Sequence, residues 1–308
     1  MSVLRRALRH PALLVLVGGV ALFVAAEAAR RGTDDPTLDP VTLLIGAAVV
    51  PVAVLVLIHA RRLPFTVGSR AVVGVALATA TAGLLLAATV EHLLGLRVGE
   101  VGSMMQAGLV EETTKLLAPL VVFLAVRDRL RVVDGLLLGV ASATGFAVAE
   151  TMGYGYRAGL GLLPGGSIRT LIVRGALSPV GHLAWTGLAA VALAAVVVHR
   201  GRAGSLVRFV ATFVGVVVLH GLWDASFTPT ATVLTHVGVA IVGVGALTVV
   251  VRRATRAVGA AEAEERTDAP ADPATQAPDA PRDIGATPGP EVSAHGAGSF
   301  AETRALAP

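Results

Sequence analysis

The sequence predicts an all-α fold: a polytopic transmembrane helix bundle of about eight helices with a disordered C-terminal tail. Three observations predict it. Of 308 residues, 54% are hydrophobic and only 15% are charged, whereas a soluble domain carries about 25% charged residues. The apolar residues fall into runs near the ~20 residues that a helix needs to cross ~30 Å of hydrocarbon. The arginines gather in short clusters between those runs, where topology determinants belong. The formal net charge of +4 is therefore no nucleic-acid signal. Absence of cysteine excludes disulfides, thiolate metal ligands and a cysteine nucleophile.

The runs lie at about 11–29, 41–60, 71–94, 104–126, 132–154, 170–198, 206–227 and 231–251. Arg5, Arg6 and Arg9 precede the first, and Ala25 to Ala29 is similar to a signal-peptidase site. That run thus reads either as an uncleaved first helix, which its length favours, or as a cleaved signal peptide. Alternating the segments from an inside N-terminus puts Arg5, Arg6, Arg9, Arg61, Arg62, Arg70, Arg127, Arg129, Arg131, Arg200, Arg202, Arg208, Arg252, Arg253 and Arg256 inside. It leaves Arg30, Arg31, Arg97, Arg157, Arg169 and Arg174 outside. This positive-inside bias predicts a multi-pass cell-membrane protein with both termini in the cytoplasm. From Arg252 the composition turns to Ala, Pro, Asp, Glu and Thr without hydrophobic periodicity. The expected organisation is a transmembrane helical domain over 1–251 and a disordered cytoplasmic tail over 252–308.

Ionisable groups cost roughly 2.5–3.5 kcal/mol each at the centre of a membrane helix, so those present are functional candidates. They concentrate in four consecutive runs. The fourth holds Glu111-Glu112-Thr113-Thr114-Lys115, in which one ammonium can reach either carboxylate along the helix face. Lys115 is the only lysine in the chain, every other cation being arginine. A buried ion pair that fixes packing would explain one carboxylate, but two leave an excess negative charge. The fifth holds Phe146-Ala147-Val148-Ala149-Glu150, with Glu150 alone in its apolar stretch. In the sixth, Ser178-Pro179 interrupts the run and His182 follows one turn later; backbone groups opened by such a proline must face protein or a water-filled cavity. The seventh holds His220-Gly221-Leu222-Trp223-Asp224, whose i, i+4 spacing lets Asp224 orient the imidazole.

Depth sharpens the pattern. At ~1.5 Å per residue from each cytoplasmic end, Glu112 lies ~21 Å up, Glu150 ~27 Å, His182 ~24 Å and His220 ~21 Å, with Asp224 one turn higher. Unrelated positions on antiparallel helices would scatter. These collect in the outer leaflet and predict one polar cavity open to the extracytoplasmic side. Glu91-His92, at the outer end of the third run, reads either as part of its rim or as plain interfacial polarity.

In order and helix assignment, Glu111-Glu112-x-x-Lys115, Phe146-x-x-x-Glu150, His182 and His220-x-x-x-Asp224 resemble the motif series of PrsW-type intramembrane proteases. That family belongs to the wider group that includes the type II CAAX-processing proteases. The resemblance covers about residues 104–227. EExxK or HxxxD alone would be weak, but four motifs in order are specific. CAAX-type relatives tend to EExxxR and FxxxH, and Leu116 and Glu150 stand at those positions here, which favours the PrsW branch. The resemblance implies hydrolysis of peptide bonds in single-pass membrane proteins, of which anti-sigma factors cut on their outer side are the family's known example. Membrane lipid is the other expected partner.

Two mechanisms stay open. In one, Glu111 or Glu112 acts as general base on water and Lys115 holds the other carboxylate. His220, steadied by Asp224, then stabilises the oxyanion or protonates the leaving amine, and Glu150 and His182 complete the water site. In the other, Glu150, His182 and His220 bind Zn²⁺ with a position left for water. No HExxH occurs, so no ligand motif of established spacing demands a metal. The rivals from other classes are a proton- or ion-coupled transporter and a non-catalytic membrane scaffold. Transporters usually show internal repeats and midplane sites, and a decayed scaffold would not keep every motif position ionisable.

Overall fold

The computed structural model describes residues 10–61 and 63–268. Arg5, Arg6, Arg9 and Arg62 of the arginine pattern lie outside them. The described chain is helical, with no strand among the described residues. The helices are α1 (Pro11–Thr33), α2 (Asp39–His59), α3 (Ser69–Leu94), α4 (Val101–Ala125), α5 (Val132–Gly159), α6 (Gly166–Leu177), α7 (His182–Val198), α8 (Ala203–Asp224) and α9 (Pro229–Asp268). Among the described residues, seven apolar spans are long enough to cross a membrane, α6 and α7 together making one of them. The eighth is α4, whose 25 residues reach as far but whose middle carries Glu111, Glu112 and Lys115. The expected bundle of about eight spans is thus present. The helix that fails a purely apolar criterion is the one that brings the charges.

α9 runs beyond the boundary expected at Arg252 and ends at Asp268. Ala, Glu and Arg dominate Arg252 to Arg266, and these are strong helix formers, so local preference carries the helix past its apolar part. Residues 269–308 of the expected tail lie outside the described residues.

α5 is the centre of the bundle and packs on α2, α3, α4, α6 and α7. Leu136, Leu137, Leu138, Val140, Ala141 and Ala143 along it are fully buried. Small residues allow this. A Cβ at Gly139 would lie 2.5 Å from the Ala190 Cβ and 2.8 Å from the Thr186 carbonyl of α7. Gly145 meets the backbone of Ala76 on α3 in the same way. Close backbone approach of this kind drives helix association in lipid, where apolar burial alone provides no preference.

Two irregularities shape the interior. α3 contains a π-turn at Thr79–Gly83, a local widening that often accompanies functional sites. Beside it the Ser142 hydroxyl donates to the Lys115 carbonyl at 2.5 Å. Ser142 is then the acceptor for Thr79, 3.0 Å away, and α3, α5 and α4 are tied at the level of Lys115. The second irregularity is the predicted break at Ser178-Pro179. The Leu177 carbonyl accepts from both Val180 and Gly181, the chain turns, and α7 starts with His182 as its first residue.

Candidate active site

α4 places Glu111, Glu112 and Lys115 on its inward face, all buried. The Lys115 ammonium has three hydrogens and three acceptors: Glu111 Oε2 at 2.9 Å, Glu112 Oε1 at 2.8 Å and His182 Nδ1 at 2.9 Å. It also lies 4.2 Å from the centroid of the Phe146 ring, a cation–π contact supplied by the phenylalanine of the second motif. A compact ammonium with three divergent donors suits this point, whereas the planar fork of arginine would not. That accounts for the single lysine.

The two adjacent glutamates occupy different environments. Glu112 is fully buried and saturated. Its Oε1 accepts from Lys115 and lies 2.9 Å from His220 Nδ1, and its Oε2 accepts from Thr186 at 2.7 Å. Glu111 has Lys115 as its hydrogen-bond partner, with His220 Nε2 at 3.4 Å. It alone of the pair lines a cavity of about 300 Å³, together with Glu91, Phe146, Glu150, Tyr154 and Arg157. Glu91 of α3 is therefore on the cavity wall, with its buried Oε1 unpaired by any hydrogen bond. Neighbouring His92 does not line it.

His220, on α8, is fully buried between Trp185 and His182, each ring centroid 5.2 Å away. Its Nδ1 faces the Glu112 carboxylate, which favours the form with a proton there, donating to the oxygen. Its Nε2 lies 3.0 Å from Asp224 Oδ2 and 3.4 Å from Glu111 Oε2, yet no hydrogen bond of good direction reaches it. A ring nitrogen turned towards two carboxylate oxygens needs a positive centre among them, either a proton of its own or a cation between them.

Glu150 completes the set. Its Oε2 is 3.1 Å from His182 Nε2 and 2.7 Å from an Arg174 nitrogen. All seven residues expected from the sequence, Glu111, Glu112, Lys115, Glu150, His182, His220 and Asp224, thus join in one continuous set of contacts. Four residues escaped the sequence reading. Arg174 counted there as an outer topology charge, but it stacks on Tyr154 at 3.8 Å and pairs with Glu150. Thr186 and Trp185 are neutral members of an apolar run and carry no charge signal.

The donor set also fits a metal. Glu111, His182 and His220 each offer a ligand atom, all within 4.8 Å of one another, and of these three residues His220 has a buried atom, Nε2, without a directed partner. Glu111, not Glu150, is the carboxylate that joins the two imidazoles; Glu150 is turned to Arg174. The model of the PrsW family intramembrane metalloproteases matches residues 39–251, most of the chain and all four motifs. The chain belongs to the PrsW family. Comparison with curated proteins and with solved structures gives no match. As a PrsW-family protein with this set of apolar helices, it is a multi-pass membrane protein of a peptidase family that acts on protein substrates.

Proposed function

We propose that the chain hydrolyses a peptide bond in single-pass membrane-anchored proteins near the extracytoplasmic face, anti-sigma factors being the substrate class the family suggests. The arginine bias supports that orientation, with both termini in the cytoplasm. The observation that carries the reading is Glu111. It belongs to the buried charged set and also forms the wall of the 300 Å³ cavity, so it is the carboxylate of the EE pair that a substrate and a water can reach.

Glu111 takes a proton from water as the hydroxide oxygen adds to the scissile carbonyl. The oxyanion forms beside Lys115 and His220, fixed cations and donors in a site where water is scarce. The C–N bond then breaks as the proton passes from Glu111 to the leaving amine. Glu112 keeps Lys115 and His220 in place, and Asp224 orients the ring. Where zinc is bound, Glu111, His182 and His220 would hold it, and it would supply a Lewis acid and an activated water.

Proteolysis of a single-pass anti-sigma-type substrate by purified protein in liposomes tests this. Wild type should cut it, and Glu111→Gln and His220→Ala should not, while both accumulate in the membrane. Cleavage unaffected by a zinc chelator makes Glu111 the base. Cleavage lost to the chelator and restored by zinc makes it a ligand. Equal cleavage by all three proteins would sink the assigned site.

A further inference from the structure

We propose that Arg174 is a positioning residue of this site: it holds Glu150 as the negative partner of His182, and so sets which ring nitrogen His182 turns to Lys115. Only the kinetic arm of its test rests on the protease reading.

Glu150 is the charge that Arg174 meets. Its side chain is 13% exposed in an apolar helix, where a carboxylate without a counter-charge is costly. The permanent cation in ion-pair contact with it is Arg174, at 2.7 Å. The guanidinium carbon lies over the Tyr154 ring, 3.8 Å from the centroid, and this contact favours its position beside Glu150. Tyr154 and Glu150 are i, i+4 on α5, so one face of that helix supplies both the seat of the guanidinium and its charge partner. Arg174 also stands one turn before the Ser178-Pro179 break and lines a water-sized cavity of about 50 Å³ with Ser178, His182, Trp185 and Asp224. It therefore ties the half-helix ahead of the break to α5, beside the point where His182 opens the next half-helix.

The consequence falls on His182. Its Nε2 lies 3.1 Å from Glu150 Oε2, an ion-pair contact without a well-directed hydrogen bond, and the negative charge there favours a proton on that nitrogen. With no metal bound, its Nδ1 is then bare and can accept from the Lys115 ammonium, 2.9 Å away; a metal on His182 would have to displace one of these two partners. With the opposite tautomer, an N–H would point at an ammonium. Arg174, Glu150, His182 and Lys115 thus form a line of alternating roles across four helices, α6, α5, α7 and α4. Partners behind a functional imidazole commonly set its tautomer and orientation in this way.

The test uses the full chain in liposomes and the single-pass substrate above, with Arg174→Gln, Arg174→Lys, Glu150→Gln and the Arg174→Gln/Glu150→Gln double variant. Arg174→Gln and Glu150→Gln should each lower kcat by about 10–100-fold. The double variant should be no worse than either single, because Arg174 acts through Glu150. Arg174→Lys, which keeps the charge but loses the stack, should recover part of the loss. The second arm reads the ring nitrogens of ¹⁵N-histidine-labelled protein, with His182 assigned by its disappearance in His182→Asn. Metal-free wild type should show Nε2 protonated and Nδ1 bare; Arg174→Gln should disturb that pattern, and Arg174→Lys should disturb it less. Losses that multiply in the double variant, or a His182 pattern indifferent to Arg174, overturn the proposal. If wild type cuts no substrate, the protease reading fails and the nitrogen pattern alone decides the role of Arg174.

Discussion

The two ends of α5 each bury a carboxylate, and they treat it in opposite ways. Asp134, in the first turn, is fully buried. It accepts from the backbone of Thr66 at 2.7 Å, the Thr66 hydroxyl at 2.6 Å and the backbone of Arg131 at 2.8 Å. Those donors are neutral and fixed, and they cap the helix and pin the loop before α3. Glu150, four turns on, is met by charged or chargeable side chains from other helices, and it borders a cavity. A carboxylate saturated by neutral donors has nothing left to do but hold the fold. One poised among cations beside a cavity can exchange partners when a substrate arrives. Glu111 and Glu112, one residue apart, repeat the part of the contrast that concerns access: Glu112 is saturated away from the cavity, and Glu111 lines it.

If that contrast is sound, substitutions should separate chemistry from stability. The largest effect should come from Glu111→Gln. Removing a general base costs on the order of 10²–10⁴ in kcat. Folding should survive, because Lys115 keeps Glu112 and His182 as partners. Single-turnover cleavage beside thermal unfolding in detergent would show it; unfolding in step with lost activity would make Glu111 structural. Next comes Gly139→Leu at the centre of α5, where the new side chain would run into the Ala190 methyl and the α7 backbone. We expect a loss of about 3 kcal/mol, measured by denaturant titration in micelles. Asp134→Ala should follow at about 2 kcal/mol, the cost of leaving several buried donors unpaired. Turnover per folded molecule should be unchanged, and a proportionate fall in kcat would break the distinction between the two ends.

How much of this the sequence revealed depends on the type of residue. Charges inside apolar runs are rare and costly, so Glu111, Glu112, Lys115, Glu150, His182, His220 and Asp224 stood out, and helix depth alone brought them to one level. The choice between Glu111 and Glu112 was out of reach. Adjacent positions differ by about 100° around a helix, and only the packed rotation of α4 shows which faces the cavity. Arg174 was hidden for a different reason. Arginines near span ends serve topology, and nothing local marks the one that the break at Pro179 turns inward. Thr186 was invisible because a hydroxyl in an apolar run is cheap when it bonds within its own helix; here it reaches Glu112 instead. The order of burial among helices was equally closed, since lipid and protein interior are alike in polarity.

That last point leads to the smallest predicted effect. α1 and α5 are both apolar enough to span a membrane, but on α1 Leu14, Val17, Leu22 and Val24 are more than half exposed. Gly18 sits on that face with nothing within 4 Å of a would-be Cβ, whereas Gly19, the next residue, would press on Val49 of α2. Gly18→Leu removes the roughly 1 kcal/mol handicap of glycine in a helix and adds an apolar side chain towards hydrocarbon. It should stabilise the helix by no more than about 1 kcal/mol and leave cleavage untouched. The same change at Gly139 should be severe. If Gly18→Leu proved equally severe, another helix must lie against that face, in a second copy or another protein, and the outer surface of α1 would be an interface instead of a lipid boundary.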